Sequence, residues 1–464
     1  MSEGAGRTAV VLGGSMAGLL AAKVLAESGA DVTVVDRDRL SDTDSARRGV
    51  PQGRHTHGLL ARGQQVLEEL FPGLTAEMTA AGVEAGDLGS QLRWYFNGRR
   101  LSPAESGLLV VGGYRPVIEY HVRRRVAKLP NVRFLEEHDI VGLVTDEGGT
   151  CVTGARVQRR GAATVAETLH AGLVVDATGK GSRTPSWLTA LGYPQVAEER
   201  VKIGLTYTSC RFALTHDPFG EDVSVNPVAT PAHPRGGFLT KLSDHRCIVS
   251  LTGVLGDHPP TDPEGFVAYA RSLPVPDIYE AIRDAQFLEE PTAFRYPASI
   301  RRRYERLERF PESFIVLGDA VCSFNPVYGQ GITVAALQAL TLRRHLRTGE
   351  PIPAHGYFRD ISRVLDAPWE IAAGGDLGFP GAEGHRTVKS RISNAFTAKL
   401  HAAASADPAV TAAFVRVAGL VDPPTALMRP SFALRVLRGA RKAASAPSPP
   451  ATPASRPSRE ESER

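Results

Sequence analysis

Apolar runs at 9–12 and 32–35 flank a glycine turn and a stretch with helical spacing, so residues 8–36 read as strand, helix, strand. An amphipathic helix follows over 59–70, stopped by Pro72-Gly73. Residues 92–101 alternate around Asn97-Gly98 and predict a hairpin, with Trp94 and Phe96 on one face. A helix is expected over 114–126, with Pro116 in its first turn and Arg123–Arg125 on a solvated face. Short apolar runs at 132–135 and 173–176 read as further parallel strands, and 140–146, 151–158 and 165–169 as an antiparallel meander between them. From 186 to about 311 strand patterns dominate, at 201–212, 237–242, 247–255 and 293–300, with one helical stretch at 263–285. A buried strand over 313–320, a glycine loop and a helix over 333–346 complete the pattern. The rest to about 439 reads as helix, and the Pro- and Ser-rich segment from 445 as a disordered tail.

Composition narrows this picture without redirecting it. The 464 residues suit two or three domains, and 42% apolar content supports a sizeable core. A net charge of +4 gives no footprint for nucleic acid. Four scattered cysteines show no C-x-x-C pair, which argues against a disulfide framework or zinc site and for a reducing compartment. No apolar run reaches transmembrane length, so a soluble, cytoplasmic protein is expected.

Chemistry enters at the glycine turn. Gly13 and Gly14 let the backbone approach a pyrophosphate, and Gly18 lets the helix pack closely on the strand. Ser15 stands where the G-x-G-x-x-G pattern has its second glycine, followed by Met16 and Ala17 at the helix start. That helix N-terminus points amides and a positive dipole end at phosphate. Asp36 closes the second strand, where it can accept from a ribose diol, and Arg37 follows it. The polar loop 37–53 is expected to hold no buried element. His55 and His57 lack a nearby third ligand, so a loop beside the cofactor is preferred to a metal site, with Arg54 near the phosphates and His57 near a ring. Arg115 is placed to meet a phosphate or flavin edge, and Asp176 ends a strand at a nucleotide crevice. Asp319, then Gly329, Gln330, Gly331 and Ile332 before a helix, form a second anion-stabilising device.

Three segments now stand in one order: GGSMAG at 13–18, DATGKGS at 176–182 and GDAVCSFNPVYGQGI at 318–332. Together they resemble the single-component FAD monooxygenases of the aromatic hydroxylase superfamily. PQGRHTHGLLARG at 51–63 and ELFPGL at 69–74 look like the squalene-epoxidase-like branch, with its bacterial polyene epoxidases of polyether pathways. The resemblance implies an α/β fold in which a Rossmann-type FAD-binding domain with a parallel sheet is built from 7–75, 112–185 and 311–345. A substrate domain with a mostly antiparallel sheet would comprise 76–111 and 186–310, a helical region 346–440, and a tail 441–464. It also implies that Asp36 holds the adenosine ribose, that Arg115 and Asp319 meet the FAD, and that amides around Gln330, Gly331 and Ile332 face flavin N1 and O2.

The implied reaction uses FAD, transient NAD(P)H and O2 through a flavin C4a-hydroperoxide, so no side chain need act as acid or base. Epoxidation of a long apolar polyketide or terpenoid is the first reading, with Trp94, Phe96, Tyr207 and Phe212 as candidate pocket walls. Aromatic polyketide hydroxylation, flavin-dependent alkene reduction and flavin binding without turnover are the alternatives. Halogenation is disfavoured, since Trp94, Trp187 and Trp369 form no W-x-W-x-I-P. The 430–442 stretch reads as a basic amphipathic helix, packed on the domain in preference to lying on lipid.

Overall fold

A computed structural model describes residues 8–40, 45–161, 165–349 and 351–444. Of the tail expected at 441–464, residues 441–444 close the last helix and the rest lies outside the described residues, as does position 7.

Five parallel strands form the first sheet, in the order Phe314–Val316, Leu173–Asp176, Thr8–Leu12, Asp31–Val35, Val132–Leu135. Thr8–Leu12 is central and buries its last four residues, as a strand covered on both faces must. Helix Met16–Glu27 packs against it through Leu19, Leu20 and Val24, which join the same core as Val10 and Val34. The expected meander is a three-stranded antiparallel sheet of His138–Thr145, Val152–Arg159 and Glu167–His170, and Val152, Ala155 and Val157 enter that core too.

A second, nine-stranded sheet is antiparallel except where Ser224–Val228 runs parallel to Leu92–Phe96. Its longest member, Glu198–Ala213, pairs along one edge with Thr292–Arg302 and along the other with Arg246–Gly253. The stretch expected as one helix at 263–285 is two, Pro263–Arg271 and Asp277–Ile282, because Pro274 and Pro276 intervene.

Several local expectations need correction. Residues expected as a loop at 54–60 include a strand, Thr56–Leu59, pairing with Leu109–Tyr114. The polar loop 37–53 does reach the interior: Arg47 is inserted with its side chain 9% exposed. Arg123 is buried and Arg125 pairs with Glu77 at 2.6 Å, so only Arg124 of that run is solvated.

The C-terminal helices are Gly331–Leu346, Ala354–Asp376, Val388–Ala404, Pro408–Ala418 and Pro430–Ala444. The last one buries Val436 and Ala443, while Leu434 and Leu437 face outward. Helix Ala354–Asp376 is joined to the large sheet by Arg301, 2% exposed, whose guanidinium reaches the Asp366 carboxylate at 2.7 Å and the Ser362 carbonyl at 2.9 Å. Among the described residues, no helix is long and apolar enough to cross a membrane.

Candidate functional site

The carboxyl ends of Thr8–Leu12 and Leu173–Asp176 meet at Gly13, where φ is +104° and a Cβ would stand 2.6 Å from the Ala177 carbonyl oxygen. Only glycine tolerates that crossing. Gly18 is just as constrained, because its Cβ would strike the Gly13 carbonyl oxygen. The backbone thus turns tightly into helix Met16–Glu27, whose N-cap Ser15 makes no side-chain cap. Ser15 Oγ donates instead to Glu119 at 2.7 Å and accepts from Arg115 at 3.1 Å. The serine that departs from the glycine pattern is therefore drawn sideways, and the first helical amides stay free for a ligand.

Beyond this turn opens a cavity of about 610 Å³. Gly13, Ser15, Met16, Ala17, Asp36, Arg37 and Arg115 line one part, and Asp319 with Gly329, Gln330, Gly331 and Ile332 another. The large sheet closes it with Tyr207, Phe238, Ser250, Thr252, Phe294 and Tyr296, and His57 stands at the margin of the small sheet. Of the sequence-predicted residues, Gly14 and Gly18 lie behind the wall as backbone supports.

Five expectations about side chains are corrected by position. Arg54 is exposed and does not line the cavity. Asp176 is fully buried and faces away from the cavity, accepting from Thr178, Ser182 and Thr184, so it shapes the 177–182 loop. Trp94 and Phe96 pack under the C-terminal helices, with Phe96 stacked on His401 at 3.7 Å between ring centroids. Phe212 sits in a separate core against Phe287 and Phe266. Of the four aromatic candidates, only Tyr207 faces the cavity.

Arg47 was not singled out by sequence, since its loop carries no periodic pattern. Its guanidinium bonds Glu119 at 2.6 Å and reaches Asp36 and Asp38, each at 3.3 Å. Burial pushes the Asp36 carboxyl up, while Arg47 and the amides of Asp38 and Gly14 oppose the rise. Burial also acts upward on Glu119, but Arg47, Arg115 and Ser15 outweigh it and its pKa ends below the usual range. Lys180 was missed as well. Its ammonium lies 3.7 Å from the Tyr296 ring centroid and donates to the Ala298 carbonyl at 3.0 Å. Burial lowers its pKa to about 8. Burial raises that of Asp319, against the pull of Arg115, Lys180 and Arg302.

His57 Nδ1 lies 3.0 Å from the His55 carbonyl, which fixes the proton on Nδ1 and leaves Nε2 as acceptor. Burial, then Arg115, lowers its pKa to about 3, so the ring is neutral at pH 7. His55, buried edge-on against Tyr207, bonds Ser209 Oγ at 2.7 Å.

Six residues that line the cavity carry a buried polar atom without a partner: Thr56 Oγ1, Arg115 Nε, Trp187 Nε1, Tyr207 Oη, Thr252 Oγ1 and Gln330 Oε1. Helix Gly331–Leu346, like Met16–Glu27, starts without a side-chain cap. Two uncapped helix starts and orphaned polar atoms around one elongated cavity suit a ligand with an anionic middle and polar ends, and FAD fits that description.

Comparison with known proteins bears on the same point. The fold is shared with a flavoprotein/dehydrogenase from Cytophaga hutchinsonii, at a TM-score of 0.68 and 15% identity over 94% of this chain and 98% of that one. It is shared too with p-nitrophenol 4-monooxygenase from Pseudomonas putida DLL-E4, at a TM-score of 0.64 and 14% identity over 90% and 99% of the two chains. Residues 7–348 match the family model described as FAD binding domain, and the chain belongs to that family. Family and fold together show an FAD-binding chain. Protein Rv3254 of Mycobacterium tuberculosis is 34% identical over 439 residues, covering 89% of this chain and 90% of its own length.

Proposed function

We propose that this protein is an NAD(P)H- and O2-dependent monooxygenase that epoxidises alkenes of a long apolar polyketide or terpenoid, within the squalene-epoxidase-like branch. FAD, when bound, supplies the redox and oxygen-transfer chemistry. In this reading the amides at 15–17 and Arg115 hold its pyrophosphate, and Asp36 takes its ribose. Asp319 and the amides of Gln330, Gly331 and Ile332 hold the opposite end, where negative charge develops on reduction.

The observation that carries the reading is the character of the sheet face. Tyr207, Phe238, Phe294 and Tyr296 present aromatic surface and no carboxylate to the cavity. Burial pushes the Tyr207 phenol up and drives His57 down to about 3, so neither is a strong base at pH 7. An alkene needs no base to be attacked by an electrophilic oxygen, whereas a phenol is helped by one. Apolar walls also exclude water.

A second reading, hydroxylation of an aromatic polyketide, draws on one specific feature. Ser250 Oγ at the cavity is 2.5 Å from Ser209 Oγ, which is 2.7 Å from His55 Nδ1, a hydrogen-bonded path from the cavity to a buried imidazole. Incubation with polyenes and polycyclic phenols under labelled oxygen separates the two. Mass gains of one labelled oxygen in polyenes alone are expected; gains in phenols alone would replace the first reading with the second. Oxygen-independent reduction of the alkene would overturn both, as would NAD(P)H consumption that no substrate accelerates.

A further inference from the structure

Behind the cofactor-side loop lies a carboxyl that the site does not use. Asp376, the last residue of helix Ala354–Asp376, is 1% exposed. It accepts from Asn325 Nδ2 at 2.8 Å and from the Tyr328 hydroxyl at 3.3 Å through one oxygen, and its other oxygen, buried, has no partner. Both donors belong to the loop leading to helix Gly331–Leu346. That loop is itself tied down: the Asn325 amide donates to Ser299 Oγ, and its side chain accepts from Val327 N. Asn325, Pro326, Val327, Gly329 and Gln330 border the cavity, while Tyr328 turns back toward the helix. Room for its hydroxyl is made by Gly375, where any Cβ would strike that oxygen.

We propose that Asp376 is a positioning residue for the cofactor-facing loop 325–331, clamping it when ionised and releasing it in part when protonated. The carboxylate receives two charge-assisted hydrogen bonds, from Asn325 and Tyr328. Protonation weakens both and leaves a proton on an oxygen without an acceptor. The loop carries Gln330 and the first amides of helix Gly331–Leu346, so its order sets how well those groups meet FAD. Burial pushes the Asp376 carboxyl up to about 7, against the two donors, so the change falls in the neutral range. The only titratable group facing it from the loop is the Tyr328 phenol, itself pushed well up by burial and then by Asp376. From the segment after the helix comes Arg386, whose guanidinium is spent on the carbonyls of Leu377, Phe379 and Ala382. Asn394, from the neighbouring Val388–Ala404 helix, donates to the Gly374 carbonyl.

The proposal rests on FAD binding and is independent of which substrate is oxidised. Its test is FAD dissociation from the holoenzyme, followed by flavin fluorescence between pH 6 and pH 8. Wild type is expected to hold FAD about threefold to tenfold more tightly at pH 8, the difference between charge-assisted and neutral bonds. D376N should lose the rise toward pH 8, its affinity staying at or below the wild-type value at pH 6 as Lys180, with its pKa of about 8, gives up its charge. Y328F should shrink the step, and G375A should weaken binding at both pH values. A D376N protein that keeps the wild-type step, or binds as tightly as wild type at pH 8, overturns the proposal. Should D376N not fold, Y328F decides: an undiminished step overturns it, a reduced one supports it.

Discussion

Arg47 Nη2 lies 2.6 Å from Glu119 Oε1, and this contact joins a polar loop to the helix Arg115–Ala127 beneath the cavity floor. The same guanidinium faces Asp36, and Ser15 and Arg115 face the same glutamate. One buried network therefore orients the groups expected at both the ribose and the pyrophosphate.

Removing one partner from such a network leaves an uncompensated buried charge, at a cost of about 3–5 kcal/mol. Arg47→Ala should lower thermal stability markedly, and Glu119→Gln should do so as well. Differential scanning calorimetry of each single variant and of the double variant checks this. A double variant more destabilised than the sum of the singles would contradict a shared network.

Asp36→Asn removes the ionic acceptor for the amides of Gly14 and Asp38. Losing charge-assisted bonds at about 1.5–3 kcal/mol should weaken FAD binding by about tenfold to a hundredfold. Fluorescence titration reads the change. Unaltered affinity would remove Asp36 from the binding site.

Phe212→Ala should destabilise the fold by about 3–5 kcal/mol, since the ring is fully buried against other aromatics. FAD affinity and the flavin absorption spectrum should stay as in wild type, because the ring does not border the cavity. Tyr207→Phe makes the opposite pair of changes: small in stability, visible in the substrate-dependent rate of NAD(P)H oxidation.

Acid should unfold the protein early. Burial holds His401 and His57 down at about 3 and His55 at about 4, each below the usual 6.5. A histidine with a lowered folded pKa binds its proton only in the unfolded chain, so stability is lost as pH falls below about 6.5. At pH 5 each such ring withdraws roughly 1–2 kcal/mol relative to pH 8. His401→Phe, which keeps the stack on Phe96, should reduce the proton uptake of acid unfolding by one. Chemical denaturation at pH 5 and pH 8 measures it.

The fold was legible wherever a segment speaks for itself. Runs such as 9–12 and 173–176 can only be buried parallel strands, and Pro116 or Asn97-Gly98 mark their local geometry directly. Residues whose place depends on a distant partner were not. Arg47 sits in a loop without periodicity, and only the fold brings Glu119 to it. Trp94, Phe96 and Phe212 alternate like pocket residues, yet strand alternation distinguishes two faces, not core from cavity. Asp176 ends its strand as the pattern promised, but three neighbouring hydroxyls capture its carboxylate.

The Arg301 contact has a bearing on how this chain can be divided. A fragment stopping at residue 348 keeps the whole family-matching segment. It also strips the counterion from a guanidinium that is 2% exposed, in a strand next to the cavity. Helices beyond that point are thus a structural part of the large-sheet half, and cutting them away should yield insoluble material and no miniature flavoprotein.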